Sequence, residues 1–352
     1  MPNWTESMQQ TFEYYIVDPG TWSDTTKLDT VKSCSITRDS DTATLASASF
    51  EFSRMMTEHY VRPYLVTVQN GVKERFPFGA FLIQTPSWSF NGKSRSISVD
   101  AYSPLIELSE NQPSLGYSIP KGKAIMDTAY RLTTERVRAP VIKPSNASVL
   151  QSNFVSNTDD TWLTFNTDLI AKAKYAYSLD SLGRITYQPI RDITALQPRV
   201  IFNDDNSSIL MPDVTINRDL YGIPNVVEVI CSSGNHIFHA RVVNNSKDSP
   251  ISTVNRGREI VHRVTNPSLI GIPSQTEVNE YAKQLLKSLS TLEYTVSYTH
   301  GYYPVSIGDC VLLNYEKAGI NNQKAKIISQ TINCTPGTPV TEKAVYTTSL
   351  WG

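Results

Sequence analysis

The sequence YLVTVQNGVKERF, residues 64–76, gives the most direct indication of the fold of this chain. Residues 64–69 are rich in β-branched and aromatic side chains, which favour extended strands. Asn70 and Gly71 follow, and both residue types tolerate the positive φ angles of a tight turn. Residues 72–76 are expected to form the return strand. The stretch therefore predicts a β-hairpin.

Strand patterns continue on both sides of this hairpin. In residues 47–53 the apolar residues Ala48, Phe50 and Phe52 alternate with polar ones, as in a strand with one buried face. Further apolar and alternating stretches follow up to residue 101. We therefore predict that residues 1–104 form an antiparallel β-domain.

The character of the sequence changes after residue 104. Apolar residues recur at helical spacing in residues 124–136 and again in residues 161–173, which predicts two helices. Residues 175–187 predict a hairpin with a turn at 180–183. We therefore predict an α+β insertion module over residues 105–212.

Strand patterns return in the last part of the chain. A single helix is predicted over residues 274–290, where Ser274 and Glu277 have the spacing of a capping box. Hairpin and meander patterns lie on both sides of it. We therefore predict that residues 213–352 form a second β-domain that contains this helix.

The two β-rich parts share one order of elements. Segments 64–102 and 310–350 each predict a strand, a glycine turn, a longer strand, a second glycine turn and a last strand. Two interpretations remain open. In the first, the two segments are unrelated meanders, because any two meanders share such an order of elements. In the second, the chain contains a duplicated β-domain with an α+β insertion.

Composition excludes several classes of protein. The sequence has 32 Lys and Arg residues and 33 Asp and Glu residues. A basic nucleic-acid-binding surface needs an excess of cations, so this balance excludes a protein of that class. No apolar run approaches the roughly 18 residues of a membrane-spanning helix. The N-terminus has neither a basic start nor an apolar run, so no signal peptide is expected.

The four cysteines, Cys34, Cys231, Cys310 and Cys334, are far apart, which predicts reduced thiols in a protein made in the cytoplasm.

The sequence contains no familiar catalytic or cofactor-binding motif. It has no dinucleotide-binding glycine pattern, no nucleophile elbow and no zinc-protease motif. His236 and His239 suggest a metal site, but an offset of three along a strand places their side chains on opposite faces. We therefore expect no catalytic residue, no cofactor and no bound metal.

Two weaker chemical alternatives remain. Cys310, near Asp309 and His300, suggests a thiol nucleophile, although a buried structural thiol explains it more simply. The acidic pairs at 159–160 and 204–205 suggest a glycosidase, but solvated loop carboxylates are the simpler interpretation.

A distinctive segment lies near the C-terminus. It reads YAKQLL at 281–286, EYTVSYTHGYYP at 293–304 and IGDCVLL at 307–313. This order of helix, strand, turn and strand resembles the central hub proteins at the tail tips of long-tailed bacteriophages and of related contractile injection systems. The motif residues are His300, Gly301, Tyr302, Tyr303, Pro304, Gly308 and Asp309.

The same family resemblance extends upstream. The stretches RPYLV at 62–66 and FPFGAFLI at 76–83 are similar to the N-terminal tube-like domain of such hubs. The resemblance thus implies a β-rich α+β fold with two antiparallel tube-like β-barrel domains and an α+β insertion module. Gly308 and Asp309 also have a local interpretation, in which positive φ and bonds to nearby amides form a sharp entry into a strand.

The resemblance also implies a function. A homotrimer with two tube-like domains in each chain forms a pseudo-sixfold ring in the tail tip or baseplate of the virion, after assembly in the host cytoplasm. Its expected partners are the tail tube or distal-tail protein, a spike or fibre protein and the tape-measure protein, and DNA passes through the lumen without sequence-specific binding. The alternatives are a distal-tail ring or adaptor protein and a cell-wall hydrolase. Because the last predicted strand ends next to Trp351, we expect no fused hydrolase.

Overall fold

A computed structural model describes residues 2–90, 92–93, 95–205, 208–218, 220–233, 236–265, 267 and 274–351. Strands make up 47% of the chain and helices 15%, so the fold is β-rich, as predicted. The first part of the chain contains β1 (Gln9–Val17), β2 (Asp24–Lys27), β3 (Val31–Asp39), β4 (Ala46–Phe52), β5 (Tyr60–Gln69), β6 (Val72–Pro77), β7 (Phe81–Phe90) and β8 (Arg95–Tyr102).

Helices and short strands follow. They are α1 (Ile106–Ser109), β9 (Ser118–Ile119), α2 (Ile125–Thr134), β10 (Phe154–Val155), α3 (Trp162–Ala171), β11 (Tyr175–Leu179), β12 (Ile185–Pro189) and a 3₁₀ turn at Ile193–Ala195. The predicted helices and the predicted hairpin of this segment are all present.

The remaining elements are again mostly strands. They are β13 (Pro198–Asn203), β14 (Leu210–Arg218), β15 (Val226–Ser233), β16 (His236–Val243), α4 (Thr253–Arg256), β17 (Val261–Thr265), α5 (Gln275–Leu289), β18 (Thr291–Gly301), β19 (Cys310–Tyr315), a 3₁₀ turn at Glu316–Ala318, β20 (Ile320–Asn333) and β21 (Pro339–Ser349).

The chain divides into two compact units. Unit 1 comprises Met1–Val214 and Ser297–Ala344, and unit 2 comprises Thr215–Val296 and Val345–Gly352. The domain boundaries predicted from the sequence, 1–104, 105–212 and 213–352, remain predictions.

Unit 1 contains a long, mainly antiparallel sheet. From β20 onward, the strand order of this sheet is β20, β3, β4, β8, β7, β5, β1 and β2. The pairing of β3 with β20 joins an N-terminal strand to one from the far end of the sequence. A parallel pair, β13 with β19, was not part of the predicted meanders. These strand pairings do not establish two separate closed barrels. The pair of tube-like β-barrel domains expected from the sequence therefore remains a prediction.

Among the described residues of unit 1, the hydrophobic cores include two large clusters. The first lies among the long strands and includes Phe50, Phe52 and Leu65. The second packs α2 and α3 against β11, β12 and the start of β7, with Phe165 and Ile170 fully buried. The α+β segment therefore shares a core with strands from the first hundred residues. Burial of apolar surface on this scale is the main term that stabilises such a unit.

Unit 2 is built on a small three-stranded sheet. Its strand order is β16, β15 and β17, and β15 pairs with β17 in parallel. Helix α5 packs on this sheet through Val278, Ala282 and Leu286, which are fully buried. The predicted capping box is present, because Ser274 Oγ accepts the amide of Glu277 and the Glu277 carboxylate accepts the amide of Ser274.

Candidate functional site

The motif residues lie at one junction of unit 1. His300 and Gly301 end β18, and residues 302–309 form a connector that leads into β19. The connector contacts Trp4 and Phe78 through Tyr302, and Gly308 lies against Gln188 of the β11–β12 hairpin and bonds to β20. It therefore connects parts of the chain that are remote in sequence.

A buried polar cluster lies at the start of this junction. Glu342 on β21 and His300 are fully buried. The Tyr298 hydroxyl donates to Glu342 Oε2 at 2.5 Å, and Gln330 Nε2 donates to Glu342 Oε1 at 2.7 Å. His300 Nδ1 donates to the carbonyl of Gly301 at 2.6 Å, while its Nε2 lies 3.4 Å from Glu342 Oε1 without an aligned hydrogen bond. These contacts tie β18, β20 and β21 together.

Arg38 extends this cluster to the first strands. One guanidinium nitrogen donates to Gln330 Oε1 at 2.8 Å and another donates to the carbonyl of Phe78 at 3.1 Å. Burial lowers the pKa of Arg38, although the neighbouring Glu342 acts in the opposite direction. The cluster thus bridges β3 and β20 through side chains as well as through the sheet.

Tyr302 anchors the connector in the first core. Its ring makes an edge contact with Trp4 at 5.0 Å and a tilted contact with Phe78 at 5.2 Å between centroids. Burial raises the pKa of Tyr302 to about 12. Tyr303 packs against the same core, and Pro304 follows it with intermediate exposure. This part of the motif therefore packs into the hydrophobic core of the first strands.

Gly308 and Asp309 form the entry to β19. Gly308 has a φ of +88°, and its amide donates to the carbonyl of Ile327 at 2.8 Å. Asp309 Oδ2 accepts the amide of Ser306 at 2.9 Å, and its Oδ1 lies 3.3 Å from Arg199 Nε. Burial raises the pKa of Asp309, and these two contacts only partly offset that effect. The geometry is that of a tight turn.

A second anchor fixes the turn of the β11–β12 hairpin. Buried Arg62 donates to the carbonyl of Leu182 at 3.0 Å and to Asp24 Oδ1 at 2.6 Å. Trp22 Nε1 donates to the same Leu182 carbonyl at 3.0 Å. The α+β segment is thereby attached to β2 and β5. No pattern in the sequence had indicated this role for Arg62.

A cavity of about 180 Å³ lies beside the connector. Phe78, Gly183 and Gly308 contribute to its wall, together with Arg38 and Asp180. Two of its charged groups have protein partners, because Arg38 bonds to Gln330 and Asp180 bonds to Arg184, and Lys326 contributes a further charge to the wall.

Within the described residues, the geometry does not support the metal-site and thiol-nucleophile alternatives raised by the sequence. Among the described residues, no group of three or more His, Cys, Asp or Glu side chains is placed to hold a metal ion. His236 and His239 are both exposed on β16. Cys310 is buried, and burial raises the pKa of its thiol, which disfavours the reactive thiolate. Of the acidic pairs, Asp160 accepts the amide of Asn157 in an exposed loop.

Within the described part of the chain, no helix is both long and apolar enough to cross a bilayer. No family model and no curated protein sequence matches this chain.

Solved structures do match it. A tail protein from Neisseria meningitidis aligns with a TM-score of 0.63 at 14% identity, over 97% of this chain and 98% of that one. The 43 kDa tail protein of prophage MuSo2 from Shewanella oneidensis aligns with a TM-score of 0.62 at 11% identity, over 95% of this chain and 98% of that one. A prophage tail protein from Listeria monocytogenes aligns with a TM-score of 0.51 at 12% identity, over 94% of each chain.

These similarities define the class of fold. The chain has the fold of bacteriophage and prophage tail proteins over almost its whole length. The resemblance that the sequence motifs indicated is therefore confirmed at the level of the fold. Which residues contact other tail proteins, and whether the motif at 300–309 takes part, remain predictions.

Proposed function

We propose that this chain is a structural hub of a phage tail tip or baseplate. Three copies form a pseudo-sixfold ring, to which each copy contributes two tube-like β-domains. The ring adapts a hexameric tail tube to a trimeric spike or fibre, and its lumen admits DNA and the tape-measure protein. The observation that carries this proposal is the tail-protein fold shared over 97% of the chain.

The physical character of the chain supports a structural role. Charged residues make up 18% of the sequence, below the roughly 25% of typical soluble domains, which suits surfaces that become buried at subunit contacts. Obligate interfaces of this kind bury roughly 2,000–5,000 Å². The motif residues pack in the core and form a turn, which supports a proposed role that is not enzymatic.

An oligomer measurement tests the proposal. We expect the purified full-length chain at micromolar concentration to give a mass of about 118 kDa by light scattering, three times the 39.3 kDa of one chain. Electron micrographs of the same sample should show rings with a central channel. A monomer at every concentration, also in the presence of the tail tube protein, would contradict the hub.

Two measurements separate the alternatives, the oligomer mass and a test for peptidoglycan cleavage. A distal-tail ring or adaptor has six copies, which predicts a mass of about 236 kDa from the same chain mass. A cell-wall hydrolase predicts clearing of peptidoglycan in a zymogram, with an established lysozyme as the positive control. Peptidoglycan clearing by the purified chain would contradict a purely structural role.

A further inference from the structure

Two of the four cysteines meet inside unit 1, although 300 positions separate them in the sequence. Cys34 lies on β3, and Cys334 directly follows the last residue of β20. The antiparallel register pairs Asn333 with Ser35, so the next pair along the two strands is Cys334 with Cys34. The amide of Cys334 donates to the carbonyl of Cys34 at 3.0 Å, which confirms that this pairing continues.

Both thiols enter the same core. Directly opposed residues of an antiparallel pair project to the same face of the sheet. Cys34 and Cys334 are 5% and 8% exposed, both belong to the first hydrophobic core, and both are free cysteines. Burial raises the pKa of the Cys34 thiol, and the adjacent Cys334 thiol raises it further. The two sulfur atoms are therefore close neighbours.

The strand geometry is compatible with a covalent link. Hydrogen-bonded residue pairs in antiparallel sheets have Cα atoms about 5.5 Å apart, within the roughly 4.4–6.8 Å range of disulfides, and their Cβ atoms must approach to about 3.5–4.5 Å when the bond forms. We propose that Cys34 and Cys334 form an oxidation site at which a disulfide locks β3 to the end of β20. This inference is independent of the proposed hub function.

The chemistry needs a two-electron oxidant, for which we name a low-molecular-weight disulfide such as oxidised glutathione. One cysteine thiolate attacks the oxidant, releases one glutathione thiolate and forms a mixed disulfide. The second cysteine then displaces the second glutathione. One protein S–S bond replaces two S–H bonds, and the oxidant leaves as two thiols that take up both protons.

Burial sets the conditions of this reaction. Because the folded protein disfavours the Cys34 thiolate, oxidation is slow at neutral pH and accelerates as the pH rises. The thiols remain reduced in a reducing compartment and become oxidised outside it. A link between such distant positions strongly restricts the unfolded chain, and therefore stabilises the folded one.

Peptide mapping of the wild-type protein tests the site. The folded full-length chain is incubated with oxidised glutathione at mildly alkaline pH, its remaining thiols are alkylated under denaturing conditions, and it is digested without reductant. We expect the Cys34 peptide joined to the Cys334 peptide, with Cys231 and Cys310 alkylated. The melting temperature should rise by about 5–10 °C and return on addition of dithiothreitol.

Matched variants complete the test. Cys334→Ala should abolish both the linked peptide and the rise in melting temperature, whereas Cys231→Ala should retain both. If Cys334→Ala does not fold, the wild-type peptide map still decides the question. The proposal is overturned if all four cysteines are still alkylated after prolonged oxidation of the folded chain. It is also overturned if the peptide map shows a linkage between other cysteines.

Discussion

Gly183 lies directly against Ala80, and a Cβ atom placed on Gly183 would be less than 3.0 Å from the main-chain nitrogen of Ala80. Gly183 also has a φ of +77°, which side chains other than glycine rarely adopt. This contact brings the β11–β12 turn against the start of β7, where the amide of Gly79 donates to the carbonyl of Ser181 at 2.9 Å. The close approach of the β11–β12 turn to Ala80 therefore depends on the absence of a side chain at Gly183.

The first prediction concerns this contact. Gly71 is a matched control, because it has a φ of +78° but a Cβ atom placed on it would have no neighbour within 4 Å. Gly71→Ala should cost about 1–2 kcal/mol through its backbone conformation alone. Gly183→Ala should cost about 1–3 kcal/mol more, because the new methyl group overlaps main-chain atoms. Urea unfolding of both variants measures the difference, and equal costs would contradict the packing argument.

The second prediction concerns Arg62. Its side chain is 3% exposed, and it pairs with Asp24 while also bonding to the carbonyl of Leu182. Arg62→Met removes the buried partner of an ion pair whose Asp24 side chain is 21% exposed, so the roughly 3–5 kcal/mol of a fully buried pair is the upper bound of the expected cost. The control, Arg131→Met, breaks an exposed pair with Glu135 and should cost less than about 1 kcal/mol. Thermal unfolding should rank the two variants in this order, and similar losses would contradict the anchor assigned to Arg62.

The third prediction concerns the buried hydroxyl of Tyr298. Its hydrogen bond to Glu342 is fully enclosed, so Tyr298→Phe leaves a carboxyl oxygen without this donor and should cost about 1.5–3 kcal/mol. Tyr315→Phe is the control, because the Tyr315 hydroxyl donates to the main-chain carbonyl of Pro212 at the same 2.5 Å. That neutral bond should be worth only about 0.5–1.5 kcal/mol. Denaturant titrations compare the two, and a larger loss for Tyr315→Phe would refute the assignment.

Local structure was largely predictable from the sequence. The hairpin predicted at 64–76 is present as β5 and β6, with Asn70 at φ +50° and Gly71 at φ +78°. Helix α5 begins after its capping box, as its residue pattern predicted. In each case neighbouring residues supply the physical cause, whether turn conformation or hydrogen bonds at a helix start. Such signals lie within a few positions of the structure they specify.

Long-range pairing was not predictable in the same way. Alternation of apolar residues shows which face of β3 is buried, but it does not identify β20 as its partner. The buried polar cluster around Glu342 was not predictable from the sequence for a related reason, although one sequence signal for it exists. Glu342 alternates in phase with Val340 and Ala344, which are buried, so its position on the inner face could have been inferred. Its partners Tyr298 and Gln330 come from strands that only the fold brings together.

The last prediction concerns the pH dependence of stability at Asp309. Burial raises the pKa of this carboxyl, so the folded chain holds its proton more tightly than the unfolded chain, whose pKa is about 3.9. As the pH rises above about 4 and through the pKa of the folded chain, Asp309 becomes charged in the folded state, where burial makes the charge unfavourable. The folded state therefore becomes less stable relative to the unfolded state. Asp309→Asn keeps an acceptor for the amide of Ser306 but does not titrate. The stability of this variant relative to wild type should therefore increase as the pH rises from 4 to 7.

Asp192 provides the control for this pH profile. The amide of Thr194 bonds to its carboxylate and lowers its pKa, which is the opposite direction. Any stability that Asp192 contributes is thus present above its unfolded pKa and is lost only as the pH falls through the lower folded value. Urea unfolding at pH 4, 5, 6 and 7 should give a rising difference for Asp309→Asn and a flat one for Asp192→Asn. A flat profile for both variants would show that burial of Asp309 at the entry to β19 does not shift its titration.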